Sequence, residues 1–232
     1  PISLAMRGRH ADDERAWQRA MDSLRRADEV FSTYREESFI SRLDRGEVTL
    51  AQCPPEVAEV LALGHAASIA SGGAFSIWRP GLDPSGVVKG WAVEQAAEYL
   101  RDLPDTDFCL SAGGDMVCHA HDVPWKVGIE NPRDPGRLVA TVSVRQGAVA
   151  TSGTAHRGEH VVDARDGSLP QGVASVTVVG PSLTWADIDA TAAYALGQRA
   201  AAWLTTRPRR TGLVVWADGT PQVVSGPGAH AA

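Results

Sequence analysis

Apolar residues recur at helical spacing over 11–33, where Ala16, Trp17, Ala20, Met21, Leu24, Ala27, Val30 and Phe31 form one stripe and predict an amphipathic helix. The segment PPEVAEVLALGHAASIAS repeats that signal, with Pro54 and Pro55 at its start, where a missing N–H costs nothing. WAVEQAAEYLRDL predicts a third helix. The period then changes. DFCLSAGGDMVCHA, PWKVGIE, RLVATVSVRQ, GAVATSG, EHVVDA and VASVTVVG are short, rich in β-branched residues and bounded by turns, which predicts strands of a largely antiparallel sheet. A further helix is predicted over 182–197 and a short one over 198–205. TGLVVWADG and PQVVS read as a closing hairpin whose turn is DGT.

Helices and strands are partly segregated instead of strictly alternating, so the predicted fold class is α+β. A single domain is expected over 1–226, with 227–232 as a frayed tail. The 232 residues, 44% of them hydrophobic, suffice for a sizeable core. The formal net charge of -6 argues against a nucleic-acid partner, whose binding footprint is basic. An anionic small molecule would need a metal or local donors to hold it. Cys53, Cys109 and Cys118 lack CxxC spacing and predict small buried thiols, with neither a zinc site nor a disulfide framework. No apolar run reaches the roughly eighteen residues of a membrane span. No signal-peptide pattern is present. The protein is expected in the cytoplasm as it stands, or exported or membrane-anchored if a segment precedes Pro1.

Four stretches carry groups capable of chemistry. GLDPSGVVKGW is a glycine-rich loop with Asp83, Ser85 and Lys89 that leads into a helix. Loop amides at a helix start favour phosphate, but the spacing is not that of a P-loop, and taken alone a capping turn is the better reading. SAGGDM follows an apolar strand, and its glycines suit a tight turn or close backbone approach to a ligand. ATSGTAHRGEHVVDARDG holds Thr151, Ser152, His156, His160 and Asp163. His160 and Asp163 would face opposite ways on a strand, so spacing implies no dyad, and Ser152 lacks the context of a hydrolase nucleophile. In WADIDATAAYALG, Asp187 and Thr191 share one helix face while Asp189 points elsewhere. A carboxylate and a hydroxyl on one face suit Mg²⁺, with other oxygens completing the shell. Taken alone, a helix cap from Asp187 with packing from Thr191 is the better reading.

In order along the chain, STYREESFISRLD, GGAF, LDPSGVVKGWAVE, SAGGDM, ATSG, EHVVDARDG and ADIDATAAYALG resemble the ApbE-type FAD:protein FMN transferases. Each piece alone is weak, but their order is specific and the likeness covers nearly the whole chain. The resemblance implies a two-lobed, T-fold-like single domain with an FAD site between the lobes. It implies that Tyr34, Ala74, Phe75, Ser76, Asp83, Lys89 and Val161 contact the flavin nucleotide. It also implies Mg²⁺ held by the side chains of Asp187 and Thr191 and by the backbone carbonyl of Gly86, on the exposed first turns of a packed helix. Lys89 would add a donor to the diphosphate, and His160 is the candidate for proton transfer or substrate positioning. The implied reaction moves FMN from FAD to a Ser or Thr hydroxyl of an acceptor protein and releases AMP. FAD hydrolysis to FMN and AMP, and flavin binding without turnover, are the alternatives. The chain departs from the family pattern at Ser76 and Asp44, where Asp and Asn are usual. It also departs at DARDG and in the short stretch 77–82.

Overall fold

Asp13 starts the first long helix, its side chain accepting the N–H groups of Arg15 and Ala16. In the computed structural model, residues 1–153, 158 and 161–229 are described. The order is β1 (Ile2–Gly8), α1 (Glu14–Phe31), α2 (Phe39–Asp44), α3 (Pro55–Ala70), β2 (Trp78–Arg79) and β3 (Gly81–Leu82). Then come α4 (Ser85–Arg101), β4 (Thr106–Ala112), β5 (Asp115–His119), β6 (Trp125–Glu130), β7 (Leu138–Val144) and β8 (Gln146–Gly153). β9 (Val173–Gly180), α5 (Leu183–Ala195), α6 (Ala200–Leu204), β10 (Thr211–Trp216) and β11 (Pro221–Ser225) complete the chain.

Among the described residues the main sheet runs β1-β4-β5-β8-β9-β10-β11, and every neighbouring pair is antiparallel. Its two faces are read by alternation. Val117, Ala148 and Val214 face the helices and join one core with Ala96, Leu100, Ala186 and Ala190. Cys118, Val149, Leu213 and Val215 face the other way and pack against Val127, Ile129 and Val144 of the β6–β7 hairpin. A further cluster lies among the helices, where Val30, Ile40, Val57, Val60, Val87 and Ile188 meet. The architecture is therefore α+β, a large antiparallel sheet with packed helices. No helix among the described residues is long and apolar enough to cross a membrane.

Helix α5 is buried almost all round, as a helix with no polar stripe must be, and it packs on α4, β8 and β9. Its cap is Ser182, whose Oγ accepts the Trp185 N–H at 3.4 Å. Glu94 of α4 fastens that end, its Oε2 accepting from Ser182 Oγ at 2.7 Å, Thr184 Oγ1 at 2.6 Å and Thr184 N–H at 2.9 Å. Asp187 is thus free of any capping duty.

Three sequence readings change. The helix expected from Trp91 begins at Ser85, so most of the glycine-rich stretch is helical. Its glycines answer crowding: a Cβ on Gly86 would sit 3.0 Å from the Phe75 ring, and one on Gly90 would sit 2.8 Å from Leu183 O. Val161–Asp163 form no strand, because the following turn captures the backbone, with Gly167 N–H bonding Asp163 O at 2.7 Å and Asp163 N–H bonding Ser168 O at 2.9 Å. The short helix α2, capped by Ser38 Oγ on Ser41 N–H at 3.1 Å, is too brief to show a period. Beyond Gly226, Pro227 O still accepts the Arg209 N–H at 2.8 Å. Cys109 and Cys118 are cross-strand partners with sulfurs 3.5 Å apart and both thiols free.

Candidate active site

The β4–β5 hairpin turns on Gly113 and Gly114, with φ of 61° and 94°. Positive φ at both central residues suits the tight hairpin turn that SAGGDM predicted, and side chains there would be strained. The next residue, Asp115, is carried into the interior and is 1% exposed. Helix α4 brings Lys89 to the same point, and α5 brings Asp187, also 1% exposed. Strand β8 supplies Thr151 and Ser152. Lys89, Asp187, Thr151 and Ser152 line a cleft of about 340 Å³ whose other walls include Phe75, Met116, Val127, Ile129, Val149 and Val161, and Asp115 lies behind that wall against Lys89.

The polar end is a tight three-charge cluster. Lys89 Nζ lies 2.5 Å from Asp115 Oδ2 and 3.1 Å from Asp187 Oδ1. The outer oxygens are held by backbone: Asp115 Oδ1 accepts the Thr151 N–H at 3.0 Å, and Asp187 Oδ2 accepts the Gly90 N–H at 2.9 Å. Beside them the hydroxyls of Ser152 and Thr191 are 3.0 Å apart. Burial pushes the Asp187 carboxyl up to about 7; Lys89 and the Gly90 amide pull against that, and the Asp115 charge adds to it. Burial works to lower Lys89, but the two carboxylates outweigh it and leave its ammonium raised.

Asp189 belongs to a different structure. Fully buried, it takes Arg207 Nε on Oδ1 and Arg210 Nε on Oδ2, both at 3.0 Å. Its neighbour two residues earlier faces the cleft, so one short helix serves both a packing pair and the site.

Of the residues singled out in the sequence, Phe75, Ser76, Asp83, Gly86, Lys89, Val161, Asp187 and Thr191 all line the cleft. Ala74 is fully buried, and its carbonyl accepts the Ala164 N–H at 3.0 Å, tying the GGAF segment to the DARDG turn. Tyr34 is 97% exposed and is no part of the cleft wall. His160 lies outside the described residues, as does His156. One expectation is corrected: Asp187 stands on no exposed first turn; it is buried beyond the first turn of α5, because α4 covers that face at Gly90. The Lys89 ammonium is paired with the two carboxylates, the charges nearest to it. Asp115 was missed. Its signal was an acid directly after a two-glycine turn, at the start of an otherwise apolar strand.

The donors present are carboxylate, hydroxyl and carbonyl oxygens. Among the described residues no three His, Cys, Asp or Glu side chains converge on one point. Such a set matches the hard-oxygen preference of Mg²⁺, which takes few protein carboxylates and fills its shell with water and phosphate.

The family model described as the ApbE family matches residues 2–79 and 78–215. The chain belongs to the ApbE family. An FAD:protein FMN transferase of Haemophilus influenzae is 28% identical over 131 residues, 50% of this chain and 38% of that protein. One of Vibrio cholerae serotype O1 is 30% identical over 131 residues, 50% of this chain and 39% of that protein. This ApbE-family chain therefore matches about two fifths of the length of these relatives. The crystal structure of the ApbE protein of Thermotoga maritima superposes with a TM-score of 0.86 at 18% identity, covering 96% of this chain and 93% of the other. That likeness shows the fold, and the T-fold-like expectation of a sheet with packed helices holds in it.

Proposed function

We propose that this protein is an Mg²⁺-dependent FAD:protein FMN transferase that moves FMN from FAD to a Ser or Thr hydroxyl of an acceptor protein. The observation that carries this reading is the meeting of Asp187, Thr191 and Lys89 at the polar end of a cleft with apolar walls. An apolar wall with a few fixed polar groups suits a ligand that joins a flat ring system to a charged tail.

Asp187, Thr191 and the backbone carbonyl of Gly86 would hold Mg²⁺, which when bound neutralises charge on the diphosphate. The chain's own groups do the rest. Phe75, Val127, Ile129 and Val161 exclude water from the ring portion of the substrate. Lys89 supplies a compact positive charge to the diphosphate end. The acceptor hydroxyl attacks the FMN-side phosphorus, the bond to the AMP phosphate oxygen breaks, and the hydroxyl proton is lost to a base. The products are a phosphoester-linked flavoprotein and AMP.

The test is incubation of the chain with FAD, MgCl₂ and an acceptor domain, followed by intact-mass measurement. An acceptor heavier by one FMN, with AMP released, is expected. Release of free FMN and AMP without acceptor would mark a diphosphatase, and no consumption of FAD would leave a flavin-binding protein.

A further inference from the structure

At the polar corner of the cleft two buried acids share one lysine. Asp115 and Asp187 are both 1% exposed, and among the described residues the cation that faces them is Lys89. Two buried carboxyl groups against one ammonium form an acid-rich pair in a region where desolvation is costly.

The orientation of the two acids is specific. Each has one oxygen fixed by a backbone amide, Asp115 by Thr151 and Asp187 by Gly90. Each turns its other oxygen to the same nitrogen, at 2.5 and 3.1 Å. Carboxylates anchored through one oxygen and offering the other are oriented as one-oxygen cation ligands are. They come from β5 and from α5, which packs on the sheet, and both are buried. Lys89 is the movable member. Its side chain is 26% exposed on the cleft side, on a flexible stem, and an ammonium can turn to new acceptors where a guanidinium fork would stay paired.

We propose that Asp115 is a second carboxylate of the cation site and that Lys89 is the site's resident counter-ion. In the ion-free protein the ammonium holds the two acids together. A divalent ion takes over that charge and frees the ammonium to turn into the cleft toward a diphosphate. This inference rests on the Mg²⁺ part of the function proposed above, and it makes Lys89 respond to ion loading instead of acting as a fixed phosphate donor.

The test uses the whole chain and MgCl₂ alone, without FAD, with thermal melting and titration calorimetry. Ion-free Lys89→Met should melt below wild type, because two facing carboxylates then lack a counter-ion. Mg²⁺ at about 10 mM should raise its Tm by roughly 5 °C more than it raises that of wild type, since no ammonium has to be displaced. Asp115→Asn should bind Mg²⁺ about 10-fold more weakly or worse. If Lys89→Met does not fold without the ion, the double variant Lys89→Met/Asp115→Asn, with one buried acid left, should fold ion-free and bind Mg²⁺ no better than Asp115→Asn. Equal Mg²⁺ shifts in Lys89→Met and wild type would overturn the counter-ion role. An unchanged Mg²⁺ affinity in Asp115→Asn would overturn its ligand role while wild-type binding kept the cation site itself. Absence of Mg²⁺ binding by wild type would overturn both.

Discussion

The amide of Gly90 donates to Oδ2 of Asp187 at 2.9 Å, and a Cβ at residue 90 would lie 2.8 Å from the Asp187 Cβ. This close approach of α4 and α5 therefore also anchors the site's central acid. Gly90→Ala must push the helices apart, and overpacking of this kind costs about 1–3 kcal/mol. The variant should unfold at lower urea concentration and lose turnover beyond what its folded fraction explains, because the anchor of Asp187 lengthens.

Asp187→Ala removes the carboxylate that α5 is proposed to contribute to the Mg²⁺ site while leaving the helix cap at Ser182 and Glu94 in place. Its circular dichroism should match wild type. Mg²⁺-dependent consumption of FAD should fall by about 100-fold or more, since loss of mere supporting contacts at metal sites already costs 10–100-fold. Undiminished turnover would refute the assignment.

Asp189 makes the opposite case. It is fully buried between Arg207 and Arg210. Asp189→Asn leaves two arginines without their carboxylate, and breaking a buried pair from one side costs about 3–5 kcal/mol. Stability should drop by that order in denaturant titration, whereas Mg²⁺ affinity of the folded fraction should stay at the wild-type value.

Acid sensitivity should trace in part to Asp107. Burial opposes its charge, but the Arg7 guanidinium at 2.8 Å, the His121 amide at 2.9 Å and the His121 ring at 2.8 Å outweigh that and hold its carboxyl down to about 2. A depressed folded value means a contribution that is complete above the ordinary 3.8 and is lost as pH falls toward about 2. Asp107→Asn should cost about 1–2 kcal/mol at pH 7, less than the full shift because Arg7 is over a third exposed. The difference between variant and wild type should close by roughly pH 2, as urea unfolding at several pH values would show.

Much of the fold was legible because it is written in local periods. The helices of α1, α3 and α5, the strands of β8 and β9 and the closing hairpin stand within a few residues of their sequence positions. The Gly113-Gly114 turn was legible for a similar reason, since two adjacent residues with positive φ call for glycine. Gly86 and Gly90 were misread as loop formers because a glycine kept for close packing looks the same in sequence as one kept for a turn. Asp187 and Thr191 could be paired from their spacing on one helix. Asp115 could not be paired with anything, because its partners come from a different helix and a different strand.

The sequence by itself determined most of the segments that become helix or strand, where the β4–β5 hairpin turns, and which residues of α5 share a face. Those properties depend on backbone sterics and on burial of one stripe or one side. Only the tertiary structure decided that Asp115, Lys89 and Asp187 would meet. Their meeting depends on the β4–β5–β8 register and on how closely α4 and α5 can approach. Both are set by side-chain packing between segments far apart in the chain, and no local period records them.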